Sequence, residues 1–126
     1  MEMLISLLVL MTGIVWSYRV DMNRRADTAF AALTSNGAVI TWGEVDAGGN
    51  SSLVSIDLQS GVLDISSTSR AYACVKENGK VVTWGDPAFG GKSSHVKEML
   101  SSNVAKVFAT SAAFAALKND GSVVTW

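Results

Sequence analysis

The residues of this chain that could carry chemistry are few, and the most suggestive of them form a glycine-rich stretch. Gly90-Gly91-Lys92-Ser93 has the composition of the end of a phosphate-binding loop, in which backbone N–H groups and a lysine hold phosphate oxygens. Gly85 stands one residue too far from Gly91 for that motif, and a related stretch has Asn50 in place of the lysine. The sequence therefore favours a connecting loop, and it predicts no cofactor.

The histidine, the cysteine and the acids have no partners at catalytic or metal-binding spacing. His95 is the only histidine, and without a nearby cysteine or carboxylate we expect a surface residue. Cys74, the single cysteine, is predicted to be buried and inert. Glu44 and Asp86 each follow a Trp-Gly pair, where solvated turn acids are a better interpretation than an acid–base pair. We predict no catalytic residue, no metal site and no enzymatic activity.

Composition limits the classes of protein to which the chain can belong. It has 126 residues, 48% of them hydrophobic and 17% charged, so the length fits one ordinary domain and the composition is not that of a disordered chain. The net charge is -1 and no long basic run occurs, so nothing directly supports nucleic-acid binding.

A 42-residue repeat organises most of the sequence. Trp42, Trp84 and Trp126 recur at this spacing, and the surrounding copies read AFAALTSNGAVITW, AYACVKENGKVVTW and AFAALKNDGSVVTW. The stretches between the copies also align without insertion or deletion. Self-similarity at a fixed period is the signature of a repeat protein, whose units are too small to bury their own apolar surface and must stack on their neighbours.

Each copy contains the pattern of a β-hairpin. Asn36-Gly37, Asn78-Gly79 and Asp120-Gly121 separate apolar and β-branched runs, and such pairs suit a type I′ turn with positive φ at both central residues. We expect a third strand at residues 62–66 and 104–109. A serine at 93 or 94 could also cap a short helix that continues to residue 100.

Short strands in a unit of this size predict an all-β fold and, more specifically, a partial β-propeller. We expect about two to three blades of three to four antiparallel strands each, with the tryptophans packed between successive blades.

The repeat resembles the regulator-of-chromosome-condensation repeat. The residues that carry the resemblance are the run from Asn78 to Gly85, Gly90-Gly91, residues 104–109 and the strand from Ala113 to Leu117. The resemblance covers roughly residues 20–126. It implies propeller blades that serve as a binding scaffold, and a longer array in the complete propeller, so that this chain would be a fragment of about two and a half copies.

The chain departs from the family pattern in the inner strand and in the loop. Phe30, Tyr72 and Phe114 stand where the family commonly has histidine, and the usual Gly-Gln-Leu-Gly of the loop is replaced by Gly-Gly-Asn-Ser or Gly-Gly-Lys-Ser. Nucleotide exchange on a small GTPase is therefore not carried over to this chain.

The N-terminal segment differs from the repeats. Residues 1–19 are largely apolar and could be a signal, an anchor, an apolar terminal strand or helix, or a start site inside a longer gene, whereas residues 20–126 hold the repeats. A membrane contact is expected only through residues 1–18. A cytoplasmic or nuclear location is favoured, and an anchored or secreted protein remains an alternative.

We predict a non-catalytic scaffold that binds a protein partner through the loops in which the copies differ, because loops on rigid scaffolds carry function. The predicted contact residues are Glu44, Asp46, Asn50, Asp86, Phe89 and Lys92. One alternative is a regulatory repeat domain of a larger ubiquitin ligase or guanine-nucleotide exchange factor. Another is a secreted or surface repeat protein.

Overall fold

The chain folds into antiparallel β-sheets, which confirms the predicted all-β class. A computed structural model describes residues 3–11, 14–22 and 28–126, and no α-helix occurs among them. The strands of these ranges are β1 Met3–Met11, β2 Ile14–Met22, β3 Ala29–Thr34, β4 Val39–Gly43, β5 Val62–Ser67, β6 Ala71–Lys76, β7 Val81–Gly85, β8 Val104–Ala109, β9 Phe114–Lys118 and β10 Val123–Thr125.

The described strands form three small sheets, one for each copy of the repeat. Their orders are β1-β2-β3-β4, β5-β6-β7 and β8-β9-β10, and we call these sheets unit 1, unit 2 and unit 3. Equivalent residues pair in the same register, with Phe30 opposite Trp42 and Tyr72 opposite Trp84. Within the described residues the units do not close into a ring.

The predicted third strand is present in units 2 and 3. β5 and β8 each lie against the hairpin that follows them in sequence, and each shows a register shift near its start, at Val62/Asp64 and at Val104/Lys106. The two units therefore share an irregularity of pairing as well as their strands, which is what an uninterrupted repeat of sequence should produce.

The three hairpins are confirmed, but the predicted type I′ turn is wrong. Gly37, Gly79 and Gly121 have φ values of 79°, 76° and 86°, whereas the asparagine or aspartate before each glycine does not have positive φ. In the first hairpin the Gly37 N–H donates to the Thr34 carbonyl at 3.0 Å. Each hairpin therefore has a type I turn followed by a β-bulge, and the glycine is the residue of the bulge that has the left-handed conformation.

The predicted helix between residues 93 and 100 is also wrong. The structure has only a 3-10 turn at Ser94–Val96, matched by another at Ser52–Val54, and neither turn receives a side-chain cap from the preceding serine. The segment turns back instead, and the Leu100 carbonyl accepts a bond from the Val81 N–H at 2.9 Å. This bond ties the end of the segment to β7.

The N-terminal apolar segment contributes two strands to unit 1. β1 pairs with β2 along its length, and β2 pairs with β3 through residues 18–20, so the predicted boundary after residue 19 falls inside β2. Residues 1–2, 12–13 and 23–27 of the predicted segments lie outside the described residues. No helix in the described part of the chain is long and apolar enough to cross a membrane.

The apolar core lies between the units. One cluster joins units 1 and 2, another joins units 2 and 3, and both use the same thirteen positions displaced by 42 residues. The members of the first cluster are Ala29, Ala31, Leu33, Val39, Ala47, Val54, Leu58, Val62, Ile65, Tyr72, Cys74, Val82 and Trp84. This stacking of identical contacts is the arrangement expected of a linear repeat.

Unit 2 packs against a neighbouring unit on each of its faces. Successive side chains of its strands point to opposite faces, so alternate residues contact different neighbours. Its rear face, which packs on unit 3, is formed by Ala71, Ala73, Val75 and Val81. Its front face, which packs on unit 1, is formed by Tyr72, Cys74, Val82 and Trp84. We use the names front face and rear face for the equivalent positions of all three units.

Stacked aromatic pairs stand on the front faces, and the tryptophans of units 2 and 3 pack against the preceding unit as predicted. The rings of Tyr72 and Trp84 are 5.4 Å apart and nearly parallel. The indole N–H of Trp84 donates to the Gly48 carbonyl at 3.2 Å, and that of Trp126 to the Gly90 carbonyl at 3.0 Å. The repeat therefore reproduces a hydrogen bond as well as apolar contacts.

Candidate functional site

A groove of about 670 Å³ opens between the segments that leave unit 1 and unit 2. Its lining includes four of the predicted contact residues: Asp46, Asn50, Asp86 and Lys92. The first two come from the segment after β4 and the other two from the segment after β7. The structure therefore brings the two loops in which the copies differ, residues 44–53 and 86–95, to one groove, and we call these loops its rim.

Arg70 joins the two sides, and sequence reasoning missed it. Its Nε lies 3.0 Å from Asp86 Oδ2 and its Nη2 lies 3.3 Å from Glu44 Oε1. Arg70 lines the groove, so Glu44 contributes through this ion pair although it is not itself among the lining residues. The equivalents of Arg70 in the other copies are Thr28 and Ala112, which is why the repeat gave no signal for it.

The ionisation of Asp86 reflects its position at the start of a turn. The backbone N–H of Ala88 and the Arg70 guanidinium hold the pKa of Asp86 below its usual value, and the two carboxylates raise the pKa of Arg70. Asp86 Oδ1 accepts from that N–H at 2.9 Å and caps the 3-10 turn Pro87–Phe89. Glu44 does not cap the matching turn Val45–Ala47, so among the described residues its carboxylate is held by Arg70 alone.

Close contacts with backbone and ring atoms explain why glycine occurs at the pairs Gly48-Gly49 and Gly90-Gly91 of the rim. A Cβ on Gly91 would lie 2.2 Å from the Gly85 carbonyl oxygen, and one on Gly49 would lie 2.3 Å from the Gly43 carbonyl oxygen. A Cβ on Gly90 would lie 2.6 Å from the Phe114 ring. These glycines are needed for the close approach of backbone and ring, which supports the connecting-loop interpretation of the phosphate-loop-like stretch.

The walls of the groove combine apolar and hydroxyl groups. Val45 and Leu53 belong to the lining and are 61% and 101% exposed, which leaves two aliphatic side chains in solvent beside the charges. Thr83 also lines the groove, and its hydroxyl lies 2.9 Å from that of Ser93. The same pair exists between Thr41 and Ser51 at 2.8 Å, so hydroxyl contacts fix both loops to their strands.

Phe89 occupies a different place from the other predicted contact residues. It is half-buried and packs against the cluster between units 2 and 3, and its carbonyl accepts from Thr68 Oγ1 at 2.9 Å. Its equivalent in the preceding loop, Ala47, is fully buried in the matching cluster. The difference between Ala47 and Phe89 therefore reflects packing between units, and the groove does not use it.

The groups considered for catalysis stand apart from one another. His95 is exposed, and Cys74 is buried in the core, where desolvation raises the pKa of its thiol to about 12. A thiol with this pKa stays protonated near neutral pH and is a poor nucleophile. Among the described residues no group of three histidines, cysteines or acids could hold a metal ion.

The chain matches no known family model and no curated protein.

Proposed function

We propose that this chain is a non-catalytic scaffold that binds a segment of a protein partner in the groove between units 1 and 2. The observation that carries the proposal is the combination of exposed aliphatic side chains with charges of both signs on the rim of the groove. Val45 and Leu53 are exposed beside Asp46 and Lys92. Residues of this kind serve as anchors and orienting charges in peptide recognition.

The charge of the groove favours a protein segment over a polyanion. Arg70 is already engaged with two carboxylates, so Lys92 is the lining cation left for a ligand among the described residues, and Asp46 lines the same groove. A nucleic acid would meet these acids without a compensating basic stripe. A peptide with an aliphatic side chain and one charge of each sign could contact the exposed aliphatic residues of the groove and pair with both Asp46 and Lys92.

The units themselves are proposed to be propeller blades of the regulator-of-chromosome-condensation type. The support is the three-stranded sheet of each of units 2 and 3, the 42-residue displacement of every core position, and the aromatic pair that each unit presents to the preceding one. In such an assembly the loops between successive blades lie side by side, so the groove described above would recur between other neighbouring blades.

The experiment is affinity capture from an extract of the source organism with the whole chain and matched variants. Leu53→Asp and Lys92→Glu change the groove, and Leu63→Asp is the control because Leu63 is 58% exposed on β5 and does not line the groove. We expect at least one protein whose recovery falls roughly tenfold with both groove variants and stays unchanged with the control, as loss of an interface anchor predicts.

A second readout locates the contact. A photo-crosslinking residue at position 53 should capture the same protein, whereas one at Asn119, an exposed residue at the opposite end of its strands, should not. If every captured protein is lost equally with Leu63→Asp, or if none depends on the groove residues, the proposed function is wrong.

A further inference from the structure

The strand β7 stands at one edge of the sheet of unit 2. The Lys76 N–H donates to the Lys80 carbonyl at 2.9 Å where the hairpin of β6 and β7 closes, so hydrogen-bonded pairs recur at every second residue from there. Thr83 lies three residues beyond Lys80, and its N–H and carbonyl therefore point away from β6. Val81 has the same orientation, and its N–H donates to the Leu100 carbonyl at 2.9 Å. In the part of the chain that the structure describes, nothing pairs with the N–H or the carbonyl of Thr83.

The groove between units 1 and 2 runs along this open edge, since Thr83, Trp84 and Gly85 belong to its lining. The segment that leaves unit 1 lies on the front side of β7, where the Gly48 carbonyl accepts from the Trp84 indole. The segment that leaves unit 2 lies on the rear side, where the Ser93 hydroxyl meets that of Thr83. We call these segments the front wall and the rear wall of the groove, and the edge of β7 lies between them.

The strand β7 lacks the features by which edge strands usually avoid pairing. Charged residues and proline commonly protect such strands, and β7 reads Val-Val-Thr-Trp-Gly, without either. The opposite edge of the same sheet, β5, contains Asp64. The β-branched residues of β7 also favour the extended conformation of a paired strand. The open edge of β7 is therefore suited to accept another strand.

We propose that the partner segment binds as an added strand on the edge of β7, with its main chain paired to Thr83. This mode of binding rests on the proposed function and specifies the segment that the groove takes. Side chains of a strand alternate between two sides, so alternate residues would face Val45, Leu53 and Asp46 of the front wall, and the residue between them would face Lys92 of the rear wall. The segment that fits is extended, with an acidic residue between an aliphatic and a basic one.

The paired region is short. The N–H of Val81 is already bound to Leu100, and β7 ends at Gly85, whose φ of 103° turns the chain. Thr83 is therefore the residue of β7 that offers both an N–H and a carbonyl to a ligand. Main-chain bonds give an added strand its conformation and part of its affinity, and the side chains on the two walls give it specificity.

The probe is a library of random seven-residue peptides displayed on phage and selected on the whole chain. Peptides that bind roughly tenfold more weakly to Leu53→Asp and equally well to Leu63→Asp are those that occupy the groove. Synthetic copies of these peptides are N-methylated at one residue at a time. Binding should weaken at the residue whose N–H meets the Thr83 carbonyl and persist at the residues on either side, whose N–H groups face away from β7.

Two variants separate the main chain of Thr83 from its side chain. Thr83→Pro removes the N–H that faces the groove and leaves the pairing with β6 intact, because proline is tolerated where the N–H of an edge strand faces outward. Thr83→Val keeps the N–H and removes the hydroxyl. We expect Thr83→Pro to bind a groove peptide at least about fivefold more weakly than Thr83→Val, as loss of one main-chain hydrogen bond predicts.

Amide hydrogen exchange of the wild-type chain, followed by NMR, gives a readout that does not require Thr83→Pro to fold. Without peptide, the N–H of Thr83 should exchange faster than those of Val82 and Trp84, which face β6. A groove peptide at about ten times its Kd should slow the exchange of Thr83 roughly tenfold, because only the free chain then exchanges.

Groove peptides that bind Thr83→Pro as tightly as Thr83→Val, or that leave the exchange of Thr83 unchanged, would overturn the added strand and leave the proposed function standing. Slow exchange of the Thr83 N–H in the free chain would also contradict it, because the edge would then be paired already. If no selected peptide depends on Leu53, the added strand is equally refuted, and the affinity capture described above decides the proposed function separately.

Discussion

Replacing the same tryptophan by alanine in two copies of the repeat should have very different effects on stability. Trp84 is 4% exposed, and Trp42, its equivalent in unit 1, is 44% exposed. Truncation of a buried tryptophan costs about 3–5 kcal/mol, and loss of the indole N–H bond to the Gly48 carbonyl adds about 1 kcal/mol. The half-exposed ring of Trp42 should account for roughly 2 kcal/mol, in proportion to the area that it buries.

The assay is urea unfolding followed by far-ultraviolet circular dichroism at low micromolar protein. We expect the unfolding free energy of Trp84→Ala to fall at least about 2 kcal/mol below that of Trp42→Ala, in line with the burial difference. If Trp84→Ala does not fold, Trp84→Phe and Trp42→Phe keep an aromatic ring and should show the same order with smaller differences. Equal losses at the two positions would refute the inference that the core lies between units.

Three further predictions concern turns, the thiol and an acid. Gly79→Ala should cost roughly 3 kcal/mol and Gly121→Ala about 1 kcal/mol, because both have positive φ but only the first would place a Cβ 2.6 Å from a backbone nitrogen; equal losses by thermal unfolding would contradict this. Cys74 should resist thiol reagents at mildly alkaline pH until urea unfolds the chain, since burial raises its pKa to about 12, and rapid native labelling would disprove it. The pKa of Asp86 is lowered, so its contacts stabilise the fold above the unfolded pKa and are lost as pH falls through the folded one. Carbon-13 NMR should show a low midpoint that Arg70→Gln raises only partway, because the backbone N–H bond remains; an unchanged midpoint would count against the ion pair.

The repeat made the strands predictable because each position of the hairpin occurs three times, and the three residues share the same preference for strand or turn. Alternating small and β-branched residues fix the strands, and a glycine at every 42nd position fixes each turn. The turn type was mispredicted because Asn-Gly and Asp-Gly fit more than one hairpin geometry. The bulge follows from the pairing of the flanking residues, because the Thr34 N–H donates to the Ala38 carbonyl at 2.8 Å and leaves a three-residue loop between them. Contacts of the glycine do not decide it, since Gly121 has the same positive φ with nothing within 4 Å of its Cβ position.

The groove was only partly predictable. Differences between the copies pointed to Asp46, Asn50, Asp86 and Lys92, because variable loop positions are free of the packing that makes other positions alike. Arg70 escaped notice since it lies outside those loops and has no counterpart in the other copies. Phe89 looked like a loop residue, and only the three-dimensional arrangement places it under the rim, against the next unit.

The displacement of all thirteen core positions by one constant interval bears on how such a chain can change in length. A tandem duplication of one whole period would insert a module whose two flanks already match their new neighbours, so it would need no compensating substitutions. A duplication that is not a whole number of periods would displace the aromatic pairs from the alanines of the preceding unit on which they pack. Recombination is therefore expected to lengthen or shorten this protein only by whole 42-residue repeats.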